Sequence, residues 1–271
     1  MALFDSIRSQ SAAANSPLLQ HRGWWTLSLP LLGFLLLPLI ALLARTSPAD
    51  VWTNLFRPEV AQTALLSLKT SAISTVLTVI FGTPLAYLMA RHRFPGKRTL
   101  DTLIDLPMVL PPAVAGVALL MAFGRTGVIG QLLADWGVTV VFTQTAVVMA
   151  QTFVAAPLFI RSATVGFASV DAHLEEAALI DGASPWQVFR HVTLPLTSGA
   201  LLSGALLTWA RALGEFGATI IFAGNLPGRT QTMPLAIYIG FELNLDVALT
   251  LSVLLIGASF GTLLLVRRLL L

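Results

Sequence analysis

From Trp24 to Ala44 the sequence runs without one charged residue, and comparable apolar runs recur along the chain. No other feature constrains the fold as strongly. In hydrocarbon every backbone N–H and C=O must be satisfied inside the protein, so only helices and closed barrels can span. A helix needs about 20 apolar residues to cross, whereas a barrel strand alternates at period two. The runs here are continuous, so the chain reads as an all-α polytopic membrane protein. Composition agrees: 56% of the 271 residues are hydrophobic, 11% are charged and the mean hydropathy is +0.82. Soluble domains carry about 25% charged residues. No cysteine is present, which excludes disulfides, thiol catalysis and thiolate metal sites.

Six transmembrane helices are expected, at about 25–44, 66–90, 104–124, 140–162, 194–222 and 246–266. Residues 1–22 form a polar leading segment, and 23–271 form the membrane domain. A signal peptide is the competing reading of the start, but the apolar run exceeds a typical h-region. Lys and Arg set orientation. Arg8, Arg22, Arg91, Arg93, Lys97, Arg98, Arg161, Arg190, Arg267 and Arg268 fall on one side; Arg45, Arg57, Arg125 and Arg229 fall on the other. The richer side is expected to be cytoplasmic, with both termini and the loop at 163–193. The net charge of +3 therefore reflects membrane orientation and does not imply nucleic acid.

Prolines interrupt several spans: Pro84, then Pro107, Pro111 and Pro112, then Pro157. Each removes a backbone donor and kinks a helix, which membranes tolerate where helices pack together or line a cavity. Gly257 and Gly261 have the GxxxG spacing that allows close helix contact, a pattern common by chance.

The loop at 163–193 contains an unusually well specified segment, Glu176-Ala-Ala-Leu-Ile-Asp-Gly-Ala-Ser-Pro-Trp-Gln-Val-Phe-Arg-His-Val-Thr-Leu-Pro195. Asp171 is placed to cap a short helix from Ala172 to Ile180, with Glu175 and Glu176 in its first turns, where the dipole favours negative charge. Gly182 suits a left-handed residue past its end. Ser184, Pro185 and Gln187 read as a capping box opening a second helix, with Pro195 closing the elbow and opening the fifth span. Leu179, Trp186 and Phe189 offer apolar anchors for a groove. An amphipathic helix lying on the membrane is the alternative, but it would want Lys and Arg on its polar face, and the segment has none before Arg190.

The spacing Glu-Ala-Ala, three residues, Gly, nine residues, aliphatic, any residue, Leu-Pro resembles the cytoplasmic docking loop of ABC importer permeases, with Val192 where isoleucine is usual. The resemblance implies that a separate ATPase holds this coupling helix pair in a surface cleft and that its closure moves the spans. Carried over residue by residue, Glu176, Ala177, Ala178 and Gly182 would couple to the ATPase, with neighbours Ser184, Trp186 and Phe189. A second copy of this chain, two ABC ATPase subunits and an extracytoplasmic binding protein are the implied partners, in a bacterial or archaeal cytoplasmic membrane. No cofactor is expected on this chain; ATP would be used by the partner ATPase.

A second stretch, Trp209 to Tyr238, contains Leu213-Gly-Glu-Phe-Gly-Ala218 and Asn225-Leu-Pro-Gly-Arg-Thr-Gln-Thr-Met-Pro-Leu-Ala-Ile-Tyr238. It resembles the molybdate, tungstate and sulfate branch of these permeases, with Thr219 and the second motif closer to molybdate members. Arg211 and Glu215, four apart, share a helix face toward the external end of the fifth span. They suit either a gate or a purely structural pair. Lys69 near the external end of the second span either snorkels or helps an anion past the gate. Lys69, Arg211, Glu215 and Thr219 are the translocation candidates. Loop 223–245 is expected to receive the binding protein.

Enzyme chemistry is unsupported. Pro95-Gly-Lys-Arg98 lacks the first glycine and the hydroxyl of a phosphate loop, His-Glu-x-x-His is absent, and His21, His92, His173 and His191 do not group as a metal site. The alternatives kept are sulfate or thiosulfate import on the same scaffold, and a secondary transporter needing no ATPase.

Overall fold

The computed structural model describes residues 21–270, so most of the leading polar segment, residues 1–20, lies outside the described residues. All regular elements among the described residues are helical. The chain divides into two units, residues 1–47 and residues 48–271.

The first unit holds α1, His21–Arg45, with Pro30 and Pro38 inside it. Between Trp24 and Ala44 it carries no charged residue on any face. Its 25 residues rise about 37 Å at 1.5 Å each, enough for a hydrocarbon core of about 30 Å.

The second unit begins with α2, Pro48–Leu55, and α3, Pro58–Arg91. Then come α4, Lys97–Val109, and α5, Pro112–Phe123, followed by the short α6, Gly130–Asp135. The long α7 covers Gln144–Ser169, and α8 covers Ala172–Ile180. Next, α9, Pro185–Val188, runs through a π-turn at Phe189–Thr193 into α10, Leu194–Leu213. The last elements are α11, Gly217–Phe222, α12, Met233–Leu243, and α13, Leu245–Leu270. Among the described residues, five helices are long and apolar enough to cross, or six if the bent pair α4–α5 counts as one span.

Helix α7 is the hub, packing against α3, α4, α5, α10 and α11. It runs parallel to α3: Lys69 meets Gln144 near the start of α7, Thr152 bonds Ser74 midway, and Arg91 bonds Val170 at its end. Helix α10 runs antiparallel to α7, with the Ser162 hydroxyl donating to Ala200 O at 2.8 Å. The buried face of α3 is lined with Thr63, Ser67, Thr70, Ser71, Ser74 and Thr78. Small side chains let helices approach closely in a membrane. The hydroxyls of Ser67, Thr70, Ser71, Ser74 and Thr78 are satisfied, as where Thr78 donates to Ser74 O at 2.8 Å and Ser67 accepts from Met233 N at 2.7 Å.

The third span is not the single rod expected at 104–124. Helices α4 and α5 meet at 114°. Pro111 disfavours the α conformation at the residue before it, and Leu110 is extended at φ −62°, ψ 137°. Helix α4 carries Lys97, Arg98, Asp101 and Asp105, a charge density that suits an interface. The 12 apolar residues of α5 reach only about 18 Å, which leaves α5 dependent on neighbours. It packs on α11, where a Cβ on Gly116 would lie 2.8 Å from the Ile221 Cβ and 2.9 Å from Ala218 O. Glycine is what permits that approach.

The fifth span also differs from a single helix over 194–222. Pro195 does not separate the elbow from the span, because one continuous helix runs from Pro185 to Leu213. The ring of a helical proline collides with the carbonyl four residues back. The wider π-turn before Pro195, with Leu194 N donating to Phe189 O, relieves that collision. At the far end α10 stops at Leu213 and α11 starts at Gly217.

Candidate functional site

The polar elbow builds itself from local interactions. Asp171 accepts from His173 N at 3.0 Å and starts α8. Gly182 has φ +89°, a left-handed conformation that costs other residues roughly 1–2 kcal/mol, and nothing lies within 4 Å of its would-be Cβ. Ser184 accepts from Gln187 N, and the Gln187 side chain accepts in return from Ser184 N at 2.7 Å. Both orphan donors of this turn are thereby satisfied.

The elbow presents apolar surface to the outside. Leu174, Leu179, Ile180 and Trp186 are all exposed, Ile180 at 85%. Ala177 is exposed and Ala178 half-buried. Glu176 points outward, 65% exposed, with His173 3.4 Å away. Trp186 stacks on Phe189 at 5.6 Å. Phe189 in turn packs edge-on against Tyr87 of α3 at 5.3 Å and lies 6.2 Å from Phe167 of α7. Of the residues expected to couple, Glu176, Ala177, Gly182, Ser184 and Trp186 are on the open face, while Phe189 faces the spans.

Sequence reasoning treated Glu175 only as a helix-dipole residue, yet it holds the inner side of the elbow. Its Oε1 accepts from Arg91 Nη2 at 2.9 Å and from the Thr193 hydroxyl at 2.6 Å. The same Arg91 nitrogen donates to Val170 O at 3.1 Å. The Arg91 and Glu175 side chains are 17% and 15% exposed, and Thr193 is fully buried. Glu175 and Glu176 are neighbours about 100° apart around the helix, so one faces in while the other faces out. Arg161, expected only as an orientation charge, binds Asp101 and Asp105 and ties α4 to α7.

The remaining candidates lie at the other end of the bundle. Arg211 Nη1 donates to Glu215 Oε2 at 2.7 Å, and Glu215 Oε1 accepts from Ala218 N at 2.9 Å. Glu215 is 1% exposed, and both of its oxygens are taken, one by the arginine and one by the start of α11. Arg211 stays about a third open. Thr219, on α11, is buried and its hydroxyl has no partner among the described residues. Gln151, on α7, is likewise buried with neither amide atom paired. Apolar residues beside both, Val147 and Val154 on α7 and Ala218 and Phe222 on α11, form one core cluster. Lys69 is exposed and reaches Gln144 at 3.5 Å. Arg125 and Arg229 line one cleft of about 740 Å³ with Thr126 and Thr139. Two arginines a hundred residues apart in sequence give no local signal that they share a cleft.

Comparison with known proteins places this architecture. A family model described as binding-protein-dependent transport system inner membrane component matches residues 82–269. The molybdenum transport system permease protein ModB of Mycobacterium tuberculosis (strain ATCC 25618 / H37Rv) is 44% identical over 223 residues, covering 82% of this chain and 84% of that protein. A probable sulfate transport system permease protein, cysT, of Chlorokybus atmophyticus is 38% identical over 222 residues, covering 80% and 78%. Among solved structures, a bacterial ABC transporter involved in the import of the acidic polysaccharide alginate superposes with a TM-score of 0.67 at 18% identity over 99% of each chain, a likeness of fold. The family match spans well over half of the residues, and the chain belongs to the binding-protein-dependent transport system inner membrane components.

Proposed function

We propose that this chain is the membrane permease of an ATP-driven importer for molybdate or tungstate. It forms the translocation path and takes its motion from a separate ATPase subunit. The observation that carries the reading is the 44% identity, across most of both chains, to a protein named for molybdenum transport, on a chain that has the capped elbow intact.

In this reading the elbow end is cytoplasmic. Ala177, Gly182 and Ser184 form its smooth contact surface, Ala178 lies half-buried behind it, and Trp186 anchors in the ATPase cleft. Glu176 is the outward charge for the ATPase, and Phe189 passes the push to Tyr87 and Phe167. The exposed Leu174, Leu179, Ile180 and Trp186 support this, because apolar anchors on a helical elbow are the usual groove-docking pattern. At the opposite, external end Arg211 and Glu215 form the gate as an ion pair, with Nη1 held by the carboxylate and the guanidinium still about a third open, and Thr219 lies beneath. Lys69 stands on the approach. Two copies of the chain would enclose the path between them, each docked on one ATPase, with a binding protein landing near loop 223–245. ATP is hydrolysed by the partner.

Sulfate or thiosulfate on the same scaffold is the second reading, favoured by the 38% identical relative named for sulfate. The deciding experiment is uptake into proteoliposomes holding this chain, its genomically adjacent ATPase and binding protein. ATP-dependent molybdate uptake that excess sulfate leaves intact is expected. Sulfate uptake in its place moves the substrate, and uptake by this chain alone without ATP replaces the importer with a secondary carrier.

A further inference from the structure

We infer that Glu175 is the positioning residue through which the elbow moves the spans, acting as the polar joint between the docking helix and the ends of α3 and α10, with Arg91 extending it to α7. The inference rests on the importer reading and names the part of the elbow that transmits force; Glu176 and the surface around it only receive it.

The geometry is a convergence on one oxygen. Glu175 Oε1 takes both the Arg91 and the Thr193 hydrogen bonds, and Arg91 carries the same nitrogen on to Val170 O. Arg91 is the last residue of α3, Val170 follows the end of α7, and Thr193 closes the π-turn that leads into α10. One carboxylate therefore fastens α8 directly to the end of α3 and the start of α10, and Arg91 ties the same joint to the end of α7. Rings close the joint from the side: Tyr87 lies edge-on to Phe167 at 5.4 Å and to Phe189 at 5.3 Å. Shielded from water, charge-assisted hydrogen bonds of this kind are stronger and more directional than neutral or exposed ones. Elsewhere α8 is mostly exposed, with no fully buried residue along its length. It lacks an apolar core of its own to hold it to the bundle, so its orientation depends on this polar joint.

The π-turn fits the same role. Phe189 and Thr193, four residues apart and so on one helix face, both point at the bundle, and this short segment supplies an aromatic contact and a hydroxyl to the joint. A docking helix pushed by its partner then shifts α3, α7 and α10 together, and the elbow cannot swivel independently.

The test separates transmission from docking. The chain lacks cysteine, so Val165→Cys with Ile180→Cys, both exposed, gives a unique spin-label pair between α7 and the elbow tip in the isolated full-length chain. In the reconstituted transporter the readout is ATP hydrolysed per anion imported. Glu175→Gln is expected to broaden the label distance distribution and raise ATP per anion at least about fivefold, within the range of coupling mutations. Thr193→Val, nearly isosteric and leaving the ion pair, is expected to do both more weakly, and it decides the matter if Glu175→Gln does not accumulate. Glu176→Gln is expected to lower ATPase co-purification while the label distances stay narrow. An unchanged ATP-to-anion ratio in the joint variants, or a raised ratio with unchanged distances, overturns the inference. If the unaltered complex imports no anion with ATP, the importer reading fails alone, and the label distances still decide whether this joint holds the elbow.

Discussion

Arg161 grips Asp105 with two parallel hydrogen bonds, Nε to Oδ1 at 2.6 Å and Nη2 to Oδ2, while Nη1 reaches Asp101 at 2.6 Å. Only arginine offers that planar fork. The group is partly open to solvent, 35% for Arg161 and over 40% for both aspartates, so each bond is worth little by itself. Together they are the polar attachment of α4 to α7. Arg161→Lys keeps the charge and loses the fork, and it is expected to destabilise by about 1–2 kcal/mol. The check is thermal unfolding in detergent, where a drop of a few degrees is expected; a melting temperature equal to that of the unaltered chain would show that α4 is held by apolar packing.

Gly182 separates backbone strain from surface chemistry. Asn tolerates a left-handed residue and Ala does not, and no neighbour crowds the position. Gly182→Asn should match the unaltered chain in stability, while Gly182→Ala should lose about 1 kcal/mol. Gly182→Asp, also compatible with this backbone, should fold and insert normally yet cut ATP-driven uptake more than about tenfold, a loss of roughly 1.4 kcal/mol in coupling. Uptake at equal membrane abundance measures it, and normal transport in the Asp variant would remove Gly182 from the docking surface.

The unpaired hydroxyl of buried Thr219 makes an isosteric test possible. A buried polar group without a partner costs free energy, so replacing it with an apolar group of the same shape is neutral or stabilising. Thr219→Val should therefore hold or slightly raise the melting temperature. If Thr219 lines the path, the same change should reduce uptake by at least about fivefold, about 1 kcal/mol in the rate. Undiminished uptake would leave Thr219 as core packing.

Arg125 and Arg229 face one cleft whose described lining carries no carboxylate. Charges in such a cleft raise the local anion concentration and speed encounter, an effect that salt weakens. Arg125→Gln with Arg229→Gln is expected to raise the KM for anion uptake about three- to tenfold with kcat held, and to flatten the dependence on ionic strength. A KM that does not move would show that the cleft takes no part in delivery.

The elbow was largely legible in the sequence because its determinants are local. Asp171, Gly182 and the Ser184–Gln187 box act on backbone groups within three or four residues, so their roles can be read from order alone. The 114° break between α4 and α5 was not. Pro111 and Pro112 announce an interruption, but its angle depends on Gly116 docking against Ala218 and Ile221, a contact between residues a hundred apart. The π-turn escaped notice for a related reason: Pro195 looked like a boundary because one wide turn that accommodates it leaves no mark in the sequence. Glu175 and Glu176 show the limit most directly. Both are acidic and adjacent, and only the packing of α8 decides which is buried against Arg91 and which meets solvent.

The self-sufficiency of the elbow has an evolutionary corollary. Its shape is fixed by caps inside residues 171–187, and its inner face is fastened through the Glu175 carboxylate and the Phe189 ring. Its outer face can therefore drift with a changing motor while the cargo route stays as it is. Such a module can be transplanted: exchanging residues 176–187 between permeases, with Glu175, Arg91 and Thr193 kept, would re-address a transporter to a different engine without rebuilding its membrane domain.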